Sequence, residues 1–217
     1  MPKSRVSSPA PVRAARGYHH GDLRDALIQT ALGMVTEEGT WDFTLREVAR
    51  RAGVSHTAPY NHFEDKSALL AEVAALGFEA LRQALEAATS GQQRSARLAF
   101  GDIAAAYVRF GVEHPAHYRL MFSAELAEKA RYPTLEAANG AACAVLTGPL
   151  ERGQASGHPR RMAMRDQVLA AWSLVHGLTT LLIDQRVSFL GVSAGDAEQY
   201  ARQAGMALFE GLRAKTG

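Results

Sequence analysis

The polar stretch GVSHTAPYNHF, residues 53–63, brings together side chains whose types and spacing could act in concert. Its hydroxyl, imidazole, phenol and amide groups belong to Ser55, His56, Thr57, Tyr60, Asn61 and His62. Groups of these kinds form hydrogen bonds with base edges and with phosphate oxygens, the two types of contact that proteins make with DNA. Few large apolar residues accompany them, so the pattern is not that of a helix whose purpose is packing.

The residues before this stretch predict a short helix and a tight turn. Thr44 and Glu47 have the spacing of a capping box, which predicts a helix over residues 44–52. Gly53 permits a tight turn, and Val54 is expected to fill the space between this helix and the next. Two short helices joined in this way form a helix-turn-helix, in which the second helix can enter a major groove.

The second helix is predicted to extend from a cap at Ser55 to about His62. Pro59 then falls at the fourth helical position, where its missing N–H costs only the first intrahelical hydrogen bond. We therefore expect the helix to survive the proline. Lys66 opens the next helix, where its charge and the helix N-terminus could together hold a phosphate.

Helical periodicity continues along the rest of the chain, and no alternating strand pattern or glycine-rich phosphate loop interrupts it. The chain is therefore predicted to be all-α. Further helices are expected over residues 22–38, from residue 66 onward, and over 93–113, 133–154, 165–186 and 195–214. The expected organisation is a disordered basic tail (1–17), a helix-turn-helix unit (18–65) and a larger helical domain (66–217).

Composition and charge are those of an ordinary soluble globular protein. Apolar residues make up 47% and charged residues 21% of the chain, and the formal net charge is +2. The charge is uneven, because residues 1–17 carry +4 whereas residues 18–66 carry −3. The tail could lie along phosphates or in a minor groove, or it could be a solvated terminus without a specific role.

Several other classes of protein are disfavoured by the residues present. Cys143 is the single cysteine, which excludes a disulfide framework and a multi-cysteine zinc site. It lies in an apolar helical context and is expected to be a buried core residue, with a redox or electrophile sensor as the alternative. No segment approaches the ~18 apolar residues of a membrane span, and no secretory signal is visible, so a cytoplasmic location is expected.

The stretch LREVARRAGVSHTAPYNHFEDKSALL, residues 45–70, resembles the DNA-binding domain of the TetR family of one-component regulators. The matching residues are Val48, Ala49, Ala52, Gly53, Val54, Ser55, Tyr60, His62, Phe63, Lys66, Leu69 and Leu70. Residues 56–59, HTAP, depart from the usual Gly-Thr-Leu pattern, so operator preference is expected to be set there. The segment AWSLVHGL, with Trp172, His176 and Gly177, resembles a TetR subgroup that has a Trp…His-Gly signature in its C-terminal domain.

The resemblance implies a homodimeric regulator whose two DNA-binding heads dock on a near-palindromic operator. Repression of transcription is the expected effect. The last two helices of each subunit would form a four-helix bundle, and the largely apolar segment 165–186 independently favours a partner surface. An activator or an effector-independent regulator remains an alternative. The DNA-binding residues expected on this basis are Thr44, Arg46, Ser55, His56, Thr57, Pro59, Tyr60, Asn61, His62 and Lys66.

TetR-like proteins usually hold a small effector among their middle helices, and its binding releases the DNA. The candidate ligand-binding residues here are Phe100, Tyr107, Phe110, Tyr118, Met121, Phe122, Trp172 and His176. Plain core packing is the alternative role for each aromatic side chain, and a bond to a backbone carbonyl is the alternative for His176. The aromatic and apolar mixture favours a hydrophobic or amphipathic effector over a sugar phosphate.

No cofactor or metal is expected. The neighbouring histidine pairs His19/His20, His56/His62 and His114/His117 lack the i, i+4 spacing with a carboxylate third ligand that a metal site would require. An all-α enzyme is the remote alternative, but no catalytic triad, paired carboxylates or cofactor fingerprint occurs.

Overall fold

A computed structural model describes residues 20–90, 95–155 and 162–212 of the chain. Within these ranges the protein folds as α-helices joined by short 3-10 helices, without a β-strand, which confirms the all-α prediction. The helices are α1 (His20–Glu38), α2 (Leu45–Arg51), α3 (Lys66–Thr89), α4 (Ala96–Glu113), α5 (Pro115–Met121), α6 (Pro133–Ala155), α7 (Met164–Ile183) and α8 (Ala197–Gly211). The predicted basic tail, residues 1–17, and His19 lie outside the described residues.

In the N-terminal head, α1 packs against both α2 and the start of α3. Leu27, Val48 and Leu70, one from each helix, are fully buried. The predicted capping box is confirmed, because the Thr44 N–H donates to Glu47 Oε2 at 2.7 Å and the Glu47 N–H donates to Thr44 Oγ1 at 3.3 Å. This reciprocal pair satisfies two backbone donors at the N-terminus of α2 and fixes where that helix begins.

Helix α3 connects the head with the body, which comprises α4 to α8. It is 24 residues long and packs against α1 in the head and against α4, α5 and α6 in the body. Its buried residues belong to one hydrophobic cluster that extends through both parts. The predicted domain boundary after residue 65 coincides with the start of this shared helix. The division of the chain into two domains at that point stays a prediction.

Helix α4 lies at the centre of the body. It packs against α3, α6, α7 and α8, and most of its residues are buried. The carboxylate of Asp102 on α4 is buried and forms an ion pair with Arg202 on α8. A smaller hydrophobic cluster, with Phe100 and Phe209 among its members, also joins these two helices.

Gly111 allows the C-terminal half of α4 to approach two neighbouring helices closely. A Cβ atom at this position would overlap Thr179 Cγ2 on α7 and would lie 3.1 Å from Tyr118 Cδ2 on α5. Thr179 cannot easily move away, because it is fully buried and its hydroxyl donates to the Val175 carbonyl at 2.7 Å. A hydrogen atom is therefore the only side chain that fits here without displacing a helix.

Helix α7 has apolar residues on two faces. Ala171, Val175 and Leu182 face the core, whereas Leu169 and Leu181 are exposed. By length and composition this helix is able to cross a membrane, with a mean hydropathy of 1.2, which corrects the expectation that no segment comes near that limit. The finding is weak evidence for a span, since core helices of globular proteins meet the same criterion.

His117 joins α5 to α3 through a hydrogen bond. Its Nε2 atom lies 2.7 Å from the carbonyl oxygen of Val73. Burial lowers the pKa of His117 below its ordinary value of 6.5, and the charge of His114 adds to this, although the bond to Val73 opposes it. The folded protein therefore favours the neutral ring, which can donate from Nε2 to the carbonyl.

Replacing His117 with Gln is expected to make the free energy of unfolding less sensitive to acid. As the pH falls below 6.5 an unfolded His117 binds a proton, whereas the folded one resists until a lower pH, so the fold loses stability in that window. Glutamine keeps an N–H donor for Val73 but does not titrate. Urea unfolding of both proteins at about pH 7.5 and about pH 5.5 measures the effect. Equal losses of stability in the two proteins would contradict it.

Candidate nucleic-acid interface and effector pocket

The turn after α2 has the tight geometry predicted for a helix-turn-helix. Gly53 has a φ of +72°, in the left-handed region that favours glycine. The Val54 N–H donates to the Ala49 carbonyl at 3.0 Å, and the Val54 side chain packs against the main core. The chain that leaves the turn is therefore held directly on α2.

The segment after the turn does not form the α-helix that was predicted over residues 55–62. It forms a turn followed by a four-residue 3-10 helix, Ala58–Asn61. Pro59 has no N–H to donate to the Ser55 carbonyl, and this carbonyl accepts instead from the Ala58 N–H at 3.0 Å. The proline thus favours the tighter 3-10 pattern over an α-helical turn.

Two predicted positions in this segment are wrong. Ser55 is not the helix cap, because Thr57 occupies that position and makes no side-chain cap bond. The Ser55 hydroxyl lies 3.2 Å from the Thr57 hydroxyl instead. Pro59 is the second residue of the 3-10 helix, not the fourth helical residue, and its ring is buried; a DNA contact by Pro59 stays a prediction.

The remaining polar side chains of the segment face solvent. We call His56, Thr57, Tyr60 and Asn61 the polar head surface, and all four are exposed. Tyr60 is 52% exposed, so its ring and hydroxyl are accessible to a partner. His62 is half-buried beside this surface. The predicted residues Thr44 and Arg46, at the start of α2, and Ser55 are exposed as well.

Lys66 does not point freely toward solvent. Its ammonium group donates to the Trp41 carbonyl at 3.1 Å. The N-terminus of α3, where a phosphate was expected, is already capped by the Asp65 carboxylate, which accepts from the Ala68 N–H at 2.7 Å. A phosphate contact by Lys66 stays a prediction, and in the free chain this lysine fastens the α1–α2 connection to α3.

A carboxylate from the body completes this attachment. Glu125 lies in the connection between α5 and α6, and its Oε2 accepts from the Trp41 indole N–H at 3.0 Å. Its Oε1 accepts from the Ser67 hydroxyl at 3.4 Å and lies 3.8 Å from the Lys66 ammonium nitrogen. We call these four residues the Glu125 junction. It joins the head to a loop of the body through three separate polar contacts.

The body contains a partly open cavity of about 180 Å³ between α3, α4, α6 and α7. Its wall is mostly aromatic and aliphatic, with Lys129, Asn139 and Cys143 as the more polar members. The lining residues are Phe78, Leu81, Tyr107, Phe122, Lys129, Asn139, Ala142, Cys143, Leu146 and Trp172. A largely apolar cavity with a few polar groups is the usual form of a small-molecule site.

The predicted ligand-binding residues divide into two groups. Tyr107, Phe122 and Trp172 line the cavity. Tyr118 and His176 lie directly behind it, because the His176 ring centroid is 4.6 Å from that of Phe122 and 5.5 Å from that of Tyr118. These five residues form one aromatic cluster.

The other three candidates lie outside this cavity. Phe100 packs in the smaller cluster with Phe209, at a centroid distance of 5.9 Å. Phe110 borders a separate groove that includes His114. Met121 is fully buried, and its sulfur lies against Gly77 on α3. The helical period gave all three an inward direction, but it could not distinguish the cavity wall from the packed core.

A short hydrogen-bonded chain lies beside the cavity. The Tyr118 hydroxyl donates to the Tyr107 hydroxyl at 3.2 Å and lies 2.6 Å from His176 Nδ1. Burial raises the pKa of Tyr107 to about 12 and raises that of Tyr118 further, so both phenols keep their protons. Burial also lowers the pKa of His176, which favours its neutral ring. This chain offers hydrogen bonds but no charge.

The polar wall of the cavity was not recognised in the sequence. Lys129 belongs to a short 3-10 helix in the α5–α6 connection, where no periodic pattern marks its direction. Cys143 was expected in the core, but as a residue of α6 it is exposed, and its thiol is partly buried against the cavity wall. Among the residues that the structure describes, no group of three or more His, Cys, Asp or Glu side chains is placed to hold a metal.

Two family models match the chain. The model described as bacterial regulatory proteins, tetR family, matches residues 27–73, which include the capping box, the turn and the polar head surface. The model described as tetracyclin repressor-like, C-terminal domain, matches residues 100–207, which include most of the cavity wall. No curated protein matches the chain.

Solved structures share the whole fold. A protein of unknown function from Rhodococcus sp. RHA1 is 31% identical, with a TM-score of 0.74, over 92% of this chain and 100% of that one. The TetR family transcriptional regulator PfmR from Thermus thermophilus is 22% identical, with a TM-score of 0.62, over 88% and 98% of the two chains. The fatty acid degradation regulator FadR from Bacillus halodurans is 14% identical, with a TM-score of 0.64, over 88% and 97%. With both family models and the complete fold in agreement, this chain belongs to the TetR family of DNA-binding transcriptional regulators.

Proposed function

We propose that the protein is a ligand-responsive repressor, located in the cytoplasm, that binds a near-palindromic operator as a homodimer. The observation that carries this proposal is the pairing of two features in one chain. The head presents the exposed polar head surface, and the body contains a largely apolar, partly open cavity of about 180 Å³. Helix α3 and the Glu125 junction connect the two.

The polar head surface supports DNA recognition. Thr57, Asn61 and His56 can form hydrogen bonds with base edges, and the Tyr60 hydroxyl can reach a phosphate. Residues 18–66 carry a net charge of −3, so the head alone is a poor attractor of phosphates. The tail, residues 1–17, carries +4 and would supply part of the missing attraction.

The outer surface of α7 and α8 supports a homodimer. Leu181 on α7 and Tyr200 on α8 are exposed and border an apolar groove of about 480 Å³. Leu190, in the connection between these helices, is 64% exposed and borders the same groove. A contiguous apolar surface of this kind is costly in water and is covered when a second copy of the chain packs against it.

The proposed function is tested by selection of DNA duplexes from a random library with the full-length protein. A repressor of this kind should enrich an inverted repeat, and a transcriptional reporter under that sequence should be silenced by the protein. Enrichment of no sequence above the non-specific background would refute operator binding. Stimulation of the reporter would refute repression while leaving DNA binding intact.

The head surface is expected to divide into a phosphate contact and a base contact. Tyr60→Phe removes one hydroxyl and should weaken binding to all sequences alike by about 5- to 10-fold. Asn61→Ala should instead change the preferred base at one position of each half-site, with a discrimination loss of about 1–3 kcal/mol. Fluorescence anisotropy against the selected operator and its single-base variants separates the two effects. Identical profiles for both variants across the set would contradict this division.

A further inference from the structure

Lys129 places a cation on the wall of an otherwise apolar cavity. Its ammonium nitrogen lies 4.5 Å from the ring centroid of Phe78 and 5.3 Å from that of Phe122, both of which line the cavity. It donates one hydrogen bond, to the side-chain oxygen of Asn139 at 3.1 Å. The ring faces and the amide oxygen hold the lysine in place but do not neutralise its charge.

The charge of Lys129 has no acidic partner among the residues that the structure describes. The Cys143 thiol is the titratable group that acts on it, and burial raises the pKa of that thiol despite the lysine, so the thiol keeps its proton. Burial likewise lowers the pKa of Lys129. A partly buried cation without a counterion is costly for the protein, and an anion that enters the cavity removes that cost.

The size of the cavity indicates how large a body can lie inside it beside the anion. An apolar protein cavity of about 150 Å³ can hold a benzene molecule. The cavity here measures about 180 Å³, which leaves room for one ring, or an alkyl chain of similar size, and a small polar group. The aromatic side chains of Phe78, Tyr107, Phe122 and Trp172 provide the apolar wall for such a body.

We propose that the effector is a small apolar carboxylic acid, bound as its carboxylate. This inference rests on the proposed function and names the class of ligand that the cavity binds. The carboxylate pairs with the Lys129 ammonium group, and its ring or chain lies among the aromatic side chains. Because the Asn139 oxygen accepts from Lys129, the amide nitrogen of Asn139 is available to donate to the second carboxylate oxygen.

A carboxylate fits this wall better than other polar groups. A neutral amide or alcohol would leave the lysine charge uncompensated, and a phosphate monoester would bring about two negative charges to one cation beside an apolar wall. Arg131, the other basic residue of the same 3-10 helix, is exposed and does not line the cavity, so it offers no second countercharge.

Titration calorimetry and thermal unfolding of the full-length protein test the proposal. The probes are benzoate, phenylacetate and hexanoate, each compared with its neutral amide, together with phenyl phosphate. At least one acid should bind and raise the unfolding temperature, and its amide should bind about 10- to 100-fold more weakly. Equal binding of acid and amide, no binding of any acid, or tighter binding of phenyl phosphate than of every acid would overturn the proposal.

Two variants assign the effect to the lysine, and a third serves as the matched control. Lys129→Met keeps the length and apolar stem of the side chain but removes the charge, and it should abolish the preference for acid over amide. Asn139→Asp retains the lysine but gives it an internal carboxylate, and it should weaken acid binding by a similar factor. Arg131→Met, in the same 3-10 helix, should leave acid binding unchanged. Undiminished acid binding by a folded Lys129→Met protein would overturn the proposal.

The same variants separate this inference from the proposed function. Operator binding is measured in parallel by fluorescence anisotropy, without any acid present. If operator binding is intact but no acid is recognised, the ligand class is refuted and the DNA-binding function stands. If acids bind with the expected preference but no operator is found, the repressor function is refuted and the ligand class stands.

Discussion

Replacing Leu181 with Asp is expected to convert the protein to a monomer and to lower its operator affinity by about 100-fold or more. Leu181 borders the apolar groove on the outer surface of α7 and α8 and is 44% exposed in the single chain. A carboxylate there would have to be buried without a partner at the proposed dimer interface, which costs several kcal/mol. The loss is large because two linked heads bind two half-sites with far greater affinity than one head binds one.

Light scattering coupled to size-exclusion chromatography measures the molar mass, and fluorescence anisotropy measures the operator affinity. Leu98→Asp is the matched control, since Leu98 on α4 is 45% exposed but does not line the groove. The control should remain dimeric and bind DNA like the parent. A dimeric Leu181→Asp protein with unchanged affinity would place the interface elsewhere.

Replacing Gly111 with Ala is expected to destabilise the fold, although alanine is the better helix former. The added Cβ overlaps the Thr179 methyl group and lies close to the Tyr118 ring, and neither side chain is free to move. Helix α4 must therefore shift away from α5 and α7, at a cost of about 1–3 kcal/mol. Because Tyr118 also lies behind the cavity, ligand binding should weaken together with stability.

Gly140 on α6 provides a matched control for this substitution. Apart from the nearby backbone of α6 itself, no atom lies within 4 Å of a Cβ built at Gly140, so Gly140→Ala should stabilise the helix by about 0.5–1 kcal/mol. The two variants carry the same chemical change in a helix, and they should alter the free energy of unfolding in opposite directions. Urea unfolding monitored by circular dichroism measures both. A stabilised Gly111→Ala protein would show that α4 and α7 are not in close contact.

The main helices could be predicted from the sequence because periodicity and caps are local signals. The start of α2 followed from Thr44 and Glu47, and its end from Gly53, which has the left-handed backbone that such a turn requires. The segment after the turn could not be predicted as well. The periodic pattern is too short there to distinguish an α-helix from a 3-10 helix, and the choice depends on which N–H reaches the carbonyl of Ser55.

The candidate site could be predicted only in part, for a different physical reason. Tyr107 is an inward residue of α4, Phe122 directly follows α5, and Trp172 on α7 is 41% exposed, yet all three line the cavity. Phe100 and Phe110 have the same pattern as Tyr107 but pack elsewhere, since periodicity gives the direction of a side chain and not its neighbour. Lys129 lies in an irregular connection, where only the three-dimensional path of the chain reveals its direction.

The connection between α5 and α6 contacts the head at one residue and the cavity of the body a few residues later. Glu125 holds Trp41, Lys66 and Ser67 of the head, while Lys129 reaches the cavity of the body. A ligand in the cavity that moves this segment changes the binding free energy of DNA at the head. Thermodynamic linkage requires that DNA at the head changes the binding free energy of the ligand equally. For the repressor proposed above, the operator should therefore reduce the affinity of the protein for its effector by the same factor by which the effector reduces its affinity for the operator. A promoter with many binding sites would then make the regulator less sensitive to its own signal.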